Sequence, residues 1–162
     1  MRVIVIGASH AGIGFVDAMR RNGFDGELVL LDALVGEPLE RPPLSKAFLS
    51  ADGEDEGRFS LRKRDWFSDN DIELVDGCRV TAVHPDARQV ETASGERMSY
   101  DRLVLAMGAT PRRLPAADGM DGVFELRHPD DAARLRAAAA NASSAIVIGG
   151  GYIGLEVAAT LA

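Results

Sequence analysis

Val3-Ile4-Val5-Ile6-Gly7-Ala8-Ser9-His10-Ala11-Gly12 opens the chain with four β-branched apolar residues running into a glycine-rich turn. A short continuous apolar run of this kind reads as a strand buried on both faces, as in a parallel sheet. The Gly-x-Ser-x-x-Gly spacing after it suits a tight turn into a helix. The free N–H groups and partial positive charge at such a helix start are what a dinucleotide pyrophosphate needs. The pattern returns near the other end, where Ala145-Ile146-Val147-Ile148 runs into Gly149-Gly150-Gly151-Tyr152-Ile153-Gly154. One such turn is weak evidence; two imply two nucleotides, and so a flavin exchanging electrons with a nicotinamide. The second turn lies a helix's length from residue 162, so part of the unit it announces is expected to be missing.

Between the two turns the elements alternate. Residues 2–6 are expected as a strand and 11–22 as the helix after it, stopped by Gly23. Residues 27–31 read as the next strand, completing a right-handed crossover, with Asp32 at its end twenty positions after Gly12. An acid there accepts hydrogen bonds from the ribose hydroxyls of an adenine nucleotide; the alternative is an ordinary strand-end acid. Paired prolines at 42 and 43 break the pattern and start a short helix through Leu49. Residues 51–57, acidic and glycine-containing, read as a mobile loop, and 64–70 as a short helix turning Trp66 and Phe67 inward. From Ile72 the period shortens. Residues 72–75, 79–83, 89–92 and 97–99 read as strands of an antiparallel insert, with turns at Pro85-Asp86 and Ser94-Gly95. Residues 103–107 return to a buried strand ending at Gly108, and Pro111 and Pro115 mark a linker. Residues 129–140 form an alanine-rich helix with Asp130 and Asp131 at its favourable end. Residues 144–148 read as the second nucleotide strand and 152–162 as its helix.

Bulk composition narrows the class. Apolar content of 46% and charged content of 27% are those of a soluble globular protein, and no apolar run approaches the roughly 20 residues of a membrane span. The N-terminus carries no signal-like segment, so a cytoplasmic location is expected. A net charge of −7 opposes nonspecific nucleic-acid binding. The basic cluster at residues 58–64 follows an acidic stretch at 52–56 and reads as a solvated surface loop; a small anion or an acidic partner is the alternative. A single cysteine, Cys78, excludes an internal disulfide or a Cys-pair redox centre and reads as structural. No metal site is expected.

These residues together resemble the FAD-dependent pyridine nucleotide oxidoreductases, and within them the ferredoxin and rubredoxin reductase type. The resemblance spans the chain. It is carried by Gly7-x-Ser9-x-x-Gly12, by Glu40-Arg41-Pro42-Pro43-Leu44-Ser45-Lys46, and by Tyr100-Asp101-Arg102-Leu103-Val104-Leu105-Ala106-Met107-Gly108. Leu126-Arg127 with Asp130-Asp131-Ala132, and Gly149 to Glu156, complete it. The Arg-Pro-Pro-Leu-Ser-Lys block is its specific element. The implied fold is α/β: a Rossmann-like FAD-binding domain over 1–110, a parallel sheet with an antiparallel insert at about 72–100, then the start of a second Rossmann-like NAD(P)-binding domain over 111–162. Three departures stand out. Ser9 replaces the middle glycine, Met107 stands where the family usually has Thr, and the acid at Asp32 is shifted by about a residue. No cysteine lies in 36–46, where disulfide reductases of the superfamily carry a redox thiol.

The resemblance implies that reduced nicotinamide delivers hydride to FAD, which then passes electrons singly to an iron-sulfur partner such as ferredoxin, or to rubredoxin. Gly7, Ser9, Ala11 and Gly12 would hold the FAD pyrophosphate, Asp32 its ribose, and Arg41 would lie near the phosphates. Val80 would hold the adenine through its backbone, Arg127 would contact FAD, and Ala106 and Gly108 belong to the same cofactor set. Gly149, Gly151 and Gly154 would serve the nicotinamide nucleotide. Lys46 and Glu156 match a family pair beside the flavin, where the lysine would stabilise reduced flavin and the carboxylate would orient it. His10 reads as a neutral occupant of a variable position. Tyr152 holds the equivalent place in the second turn, with gating of the nicotinamide pocket as its functional alternative. Two other readings stay open: a truncated FAD-binding module without activity, and an NADH oxidase or apoptosis-inducing-factor-like flavoprotein. A free-standing NAD-dependent dehydrogenase lacks both its catalytic residues and its substrate domain.

Overall fold

The computed structural model describes residues 1–50 and 56–162. In chain order the elements are β1 (Arg2–Ile6), α1 (His10–Arg21), β2 (Glu27–Leu31), a 3₁₀ turn (Pro42–Ser45), α2 (Ala47–Ser50), a second 3₁₀ turn (Glu56–Phe59) and α3 (Arg64–Asp69). There follow β3 (Ile72–Val75), β4 (Val80–His84), β5 (Gln89–Thr92), β6 (Arg97–Ser99), β7 (Arg102–Leu105), a third 3₁₀ turn (Pro115–Ala117), α4 (Pro129–Ala139) and α5 (Tyr152–Leu161). The chain forms two units, interleaved in sequence. One comprises Met1–Leu39 and Ser60–Gly108, the other Glu40–Phe59 and Ala109–Ala162.

The first unit is built around β1. It pairs in parallel with β2 from Arg2↔Glu27 to Ile6↔Leu31 and with β7 from Val3↔Arg102 to Ile6↔Leu105. The sheet order is β3-β2-β1-β7. Alternate side chains of β1 and β2 then meet different layers. Val3, Val5, Leu28 and Leu30 pack with Ile13 and Val16 of α1 and Phe67 of α3, whereas Ile4, Ile6, Val29 and Leu31 pack with Val90 of β5. Both faces of the parallel sheet are therefore covered, which is why its central strands run continuously apolar after their first residues, Arg2 and Glu27, rather than alternately. β4, β5 and β6 form the antiparallel sheet, with a register shift between Val80 and Ala82.

Several sequence expectations change in the folded chain. Residues 72–75, expected in the antiparallel insert, join the parallel sheet instead: β3 pairs with β2 from Leu28↔Ile72 to Leu31↔Val75. Alternation along one short strand does not encode the direction of its partner. The edge of β2 and the buried Ile72 side chain decide it. Residues 144–148 form no strand. Ile146 and Ile148 are 92% and 76% exposed, and a strand exists only by bonding to a neighbour, which no described segment provides here. The strand expected over 103–107 ends at Leu105. Of the loop expected over 51–57, residues 51–55 lie outside the described residues, and Glu56 begins a 3₁₀ turn.

In the second unit α2 packs on α4. Phe48, Leu49 and Ala132 are buried there, and Arg136 Nη1 donates to Phe48 O at 3.0 Å. The Pro42–Ser45 turn packs against α5, where Val157 is the buried side chain.

Phe67 anchors α3 to the first unit's core, 2% exposed and edge-on to Trp66 with ring centroids 5.1 Å apart. Phe67→Ala is expected to cost about 3–5 kcal/mol through lost burial and a residual cavity. Chemical denaturation checks this, and a loss below about 1 kcal/mol would contradict the packing described.

Candidate functional site

At the end of β1 the Gly7 N–H donates to Leu31 O at 2.8 Å and the chain turns with Gly7 at φ 104°. A Cβ on Gly7 would meet Ala106 O at 2.3 Å, and one on Gly12 would meet Gly7 O at 1.9 Å. No side chain fits either place. Ser9 is the N-cap of α1 and its hydroxyl caps nothing, while its carbonyl accepts from Ile13 N–H at 2.9 Å. The first-turn N–H groups of α1 are thus left without helical acceptors, and the helix start carries partial positive charge.

The second turn repeats this construction. Gly149 has φ 107°, a Cβ on Gly154 would lie 2.3 Å from Gly149 O, and Gly151 caps α5 with its carbonyl accepting from Leu155 N–H at 3.0 Å. Nothing lies within 4 Å of a Cβ built on Gly149, Gly150 or Gly151. Two backbones of the same shape, each at the start of a helix, suit two anionic ligands. Tyr152, at the start of α5, is 89% exposed, and His10 at the start of α1 is also exposed.

Around the first turn, Asp32 follows β2 with its N–H on Val75 O at 3.0 Å, its carbonyl accepting from Cys78 N–H at 2.7 Å, and Oδ1 3.4 Å from Leu34 N. The loop beyond it is fastened by two acids. Asp76 accepts from Gly36 N–H at 2.7 Å and from Arg64 at 3.1 Å, and Glu37 accepts from Arg64 N–H at 3.1 Å and Lys63 Nζ at 3.2 Å. The Gly36 N–H above all holds the Asp76 carboxyl below its ordinary range. At Glu37 burial works the other way and is outweighed by the Arg64 N–H, Ser60 and Lys63. Arg62 also lies 3.6 Å from Asp17. Half-buried Arg62 and exposed Lys63 and Arg64 of the basic cluster are therefore paired with acids of the same chain, where the sequence reads as a solvated surface loop with a small anion or an acidic partner as the alternative. Val80 pairs with Thr92, Ala106 N–H donates to Ile6 O at 2.8 Å, and Gly108 turns at φ 70°. Cys78 is half-buried against the second face of the sheet, and burial, with Glu96 adding to it, pushes its thiol up, away from reactivity.

The second unit brings together residues far apart in sequence. Lys46 Nζ lies 2.7 Å from Glu156 Oε1, and Ser45 Oγ donates to Glu156 Oε2 at 2.5 Å. Thr160, one turn on from Glu156, donates to Ser45 O at 2.8 Å and Glu156 O at 2.9 Å. Lys46, then Ser45, hold the Glu156 carboxyl below its ordinary range. The side chains are 52% and 32% exposed, so this is a positioned ammonium still open to a ligand. Ser45 and Thr160 were not singled out from sequence, although Glu156 and Thr160 share a helix face four residues apart.

Nearby in the same unit, Arg41 Nη1 donates to Arg127 O at 2.6 Å and lies 3.1 Å from His128 Nδ1. Asp131 accepts from the N–H groups of Arg127 at 3.0 Å and His128 at 2.8 Å, fastening the start of α4. Arg127 Nε is buried without a partner, an unmet donor that suits an anionic group. Among the described residues no cluster of ligating side chains could hold a metal, and no helix is long and apolar enough to cross a membrane.

A family described as "Pyridine nucleotide-disulphide oxidoreductase" matches residues 1–162. Rhodocoxin reductase of Rhodococcus erythropolis is 40% identical over 160 residues, covering 98% of this chain and 37% of its own length. Putidaredoxin reductase CamA of Pseudomonas putida is 40% identical over 162 residues, covering 98% of this chain and 38% of its own length. Among solved structures, the covalent putidaredoxin reductase–putidaredoxin complex superposes with a TM-score of 0.90 at 39% identity, over 99% of this chain and 39% of that one. The chain thus spans well under half the length of the relatives it matches.

Gly12→Ala is expected to force the first turn apart, at a cost of several kcal/mol, because no rotamer relieves a Cβ facing backbone. Gly14→Ala, two residues along the same helix with nothing within 4 Å, should gain up to about 1 kcal/mol. Paired thermal melts check both; equal effects would contradict the turn geometry. The start of α4 makes a pH prediction. Burial raises the Asp131 carboxyl but the His128 N–H, Arg134 and the Arg127 N–H lower it further, so its net position is below the ordinary 3.8. A lowered carboxyl stabilises the fold above its unfolded pKa and loses that contribution as pH falls through its folded one. Asp131→Ala should therefore cost about 1 kcal/mol at neutral pH, a gap that closes in acid below that range. Melting across pH reads it.

Proposed function

Because the chain belongs to the pyridine nucleotide-disulphide oxidoreductase family, we propose that it is the FAD-binding part, with the start of the NAD(P)-binding part, of an oxidoreductase that passes electrons from NAD(P)H to a ferredoxin or rubredoxin type protein. The observation that carries this is the repeated turn, Gly7 to Gly12 and Gly149 to Gly154, two helix starts of one geometry of the kind that suits an anion. The functional partition we assign is 1–110 for FAD and 111–162 for NAD(P), and the intact protein is expected in the cytoplasm. Both curated relatives named above are reductases whose names carry a redoxin partner, which supports an iron-sulfur protein as acceptor here.

In this reading Gly7, Ser9, Ala11 and Gly12 hold the FAD pyrophosphate through backbone N–H groups and the free Ser9 hydroxyl, and Asp32 takes the ribose. Val80 serves the adenine through its backbone, with Ala106 and Gly108 in the same set. Arg41 and Arg127 supply positive charge for the cofactor, and the unmet Arg127 Nε fits that role. Gly149, Gly151 and Gly154 serve the nicotinamide nucleotide. When bound, the flavin supplies the exchange between two-electron hydride transfer and single electrons. Lys46 then offers a fixed positive charge to a ring that gains negative charge on reduction, and Glu156 and Ser45 keep that ammonium oriented.

The unpaired segment at 144–148 favours a second reading for the isolated chain: it holds FAD without nicotinamide-dependent turnover. The purified protein separates the readings. FAD content with NAD(P)H-dependent reduction of a redoxin is expected for the reductase. FAD without turnover marks the binding module, oxygen consumption without a protein acceptor marks an oxidase, and absence of FAD overturns the proposal. Lys46→Ala in the intact enzyme should slow flavin reduction about tenfold, roughly 1.4 kcal/mol of barrier, or weaken flavin retention. Unchanged stopped-flow rates and FAD content would remove Lys46 from this role.

A further inference from the structure

We propose that His128, neutral and protonated on Nε2, is a positioning residue for Arg41, and that the grip of Arg41 on a phosphate of FAD depends on that imidazole staying unprotonated. This rests on the flavin reading above. Arg41 Nη1 is 3.1 Å from His128 Nδ1. A guanidinium only donates and does not lose its proton in proteins, so Nδ1 has to be the acceptor. That assigns the tautomer: the ring's one proton is on Nε2. The same Nη1 also donates to Arg127 O at 2.6 Å, so this nitrogen bridges a backbone carbonyl and an imidazole.

The residue that carries the imidazole is on a firm mount. The backbone N–H of His128 donates to Asp131 Oδ2 at 2.8 Å, and Pro129 follows as the first residue of α4. Protonation would turn Nδ1 into a donor facing a donor and put positive charge against positive charge. Rigid backbone on both sides leaves the longer Arg41 side chain as the group that moves. The charged groups facing His128 are Arg41, Arg127, Asp131 and Asp130. Burial first, then Arg41, hold the imidazole below its ordinary 6.5, Arg127 adds to them, and the two aspartates pull the other way. The neutral form is therefore the resting one at neutral pH, and proton uptake begins as pH falls below that ordinary value. Arg127 Nε, buried and unmet, gives the second arginine of the cluster the same appetite for an anion.

The tautomer can be read without any variant by ¹⁵N-histidine NMR of the purified protein, with His128→Asn identifying the signal among the three histidines. An unprotonated Nδ1 at neutral pH is expected; a proton on Nδ1 there overturns the proposal. FAD affinity of flavin-stripped protein, read by flavin fluorescence, should weaken as pH falls from about 7.5 to about 5.5, by less than the roughly tenfold that an unshifted imidazole would give. His128→Asn keeps an acceptor that takes no proton, so its affinity should not change across that range, and His128→Ala should bind FAD more weakly than His128→Asn at neutral pH. The same pH dependence in His128→Asn as in the wild type overturns the proposal, as does equal affinity of the Asn and Ala variants. Wild type that binds no FAD at neutral pH while showing the expected tautomer and a fixed Arg41 overturns the flavin reading and leaves the positioning role supported.

Discussion

A carbonyl with no room above it organises the first unit. Gly7 O lies 1.9 Å from where a Cβ on Gly12 would be, so the helix can begin this close to the strand only if position 12 has no side chain. That closeness lets α1 lie down on Val3, Val5, Leu28 and Leu30, and it leaves the first N–H groups of α1 beyond the end of the sheet. The recurrence of the same arrangement at Gly149 and Gly154 gives the chain two helix starts able to take negative charge.

The second unit rests on pairing across sequence rather than on a sheet. Glu156 is gripped by Lys46 and Ser45, Thr160 ties α5 to the carbonyl of Ser45, and Arg136 ties α4 to the carbonyl of Phe48. Exposed ion pairs contribute little to stability on their own. What this set does is orient one ammonium and one carboxylate. A half-exposed, oriented ammonium keeps its charge available to a ligand. At Arg41 the guanidinium Nη1 is likewise directed, by a backbone oxygen and an imidazole.

Much of the first unit was legible because its determinants are local. Glu27–Leu31, Gln89–Thr92 and Arg97–Ser99 form strands over the residues expected, since an apolar or alternating run with a turn at each end carries its own signal. Partner direction carries no such signal, and so Ile72–Val75, which reads from sequence as part of the antiparallel insert, belongs to the parallel sheet through its pairing with β2. The segment at 144–148 shows the converse. Its residues have strong strand preference and no described neighbour to bond, and preference alone does not make a ladder.

The candidate site divides in the same way. By itself the sequence determined the two turns, the strand-helix order around them and the block from Glu40 to Lys46, because glycine, proline and β-branched residues restrict the backbone wherever they occur. Tertiary structure alone decided that Lys46 meets Glu156 with Ser45 as the third member, and that His128 faces Arg41. Those meetings join residues 110, 111 and 87 positions apart. Nothing in the local chemistry of either partner specifies such a distance; it is fixed only when α4 and α5 pack against the segment that contains Arg41, Ser45 and Lys46.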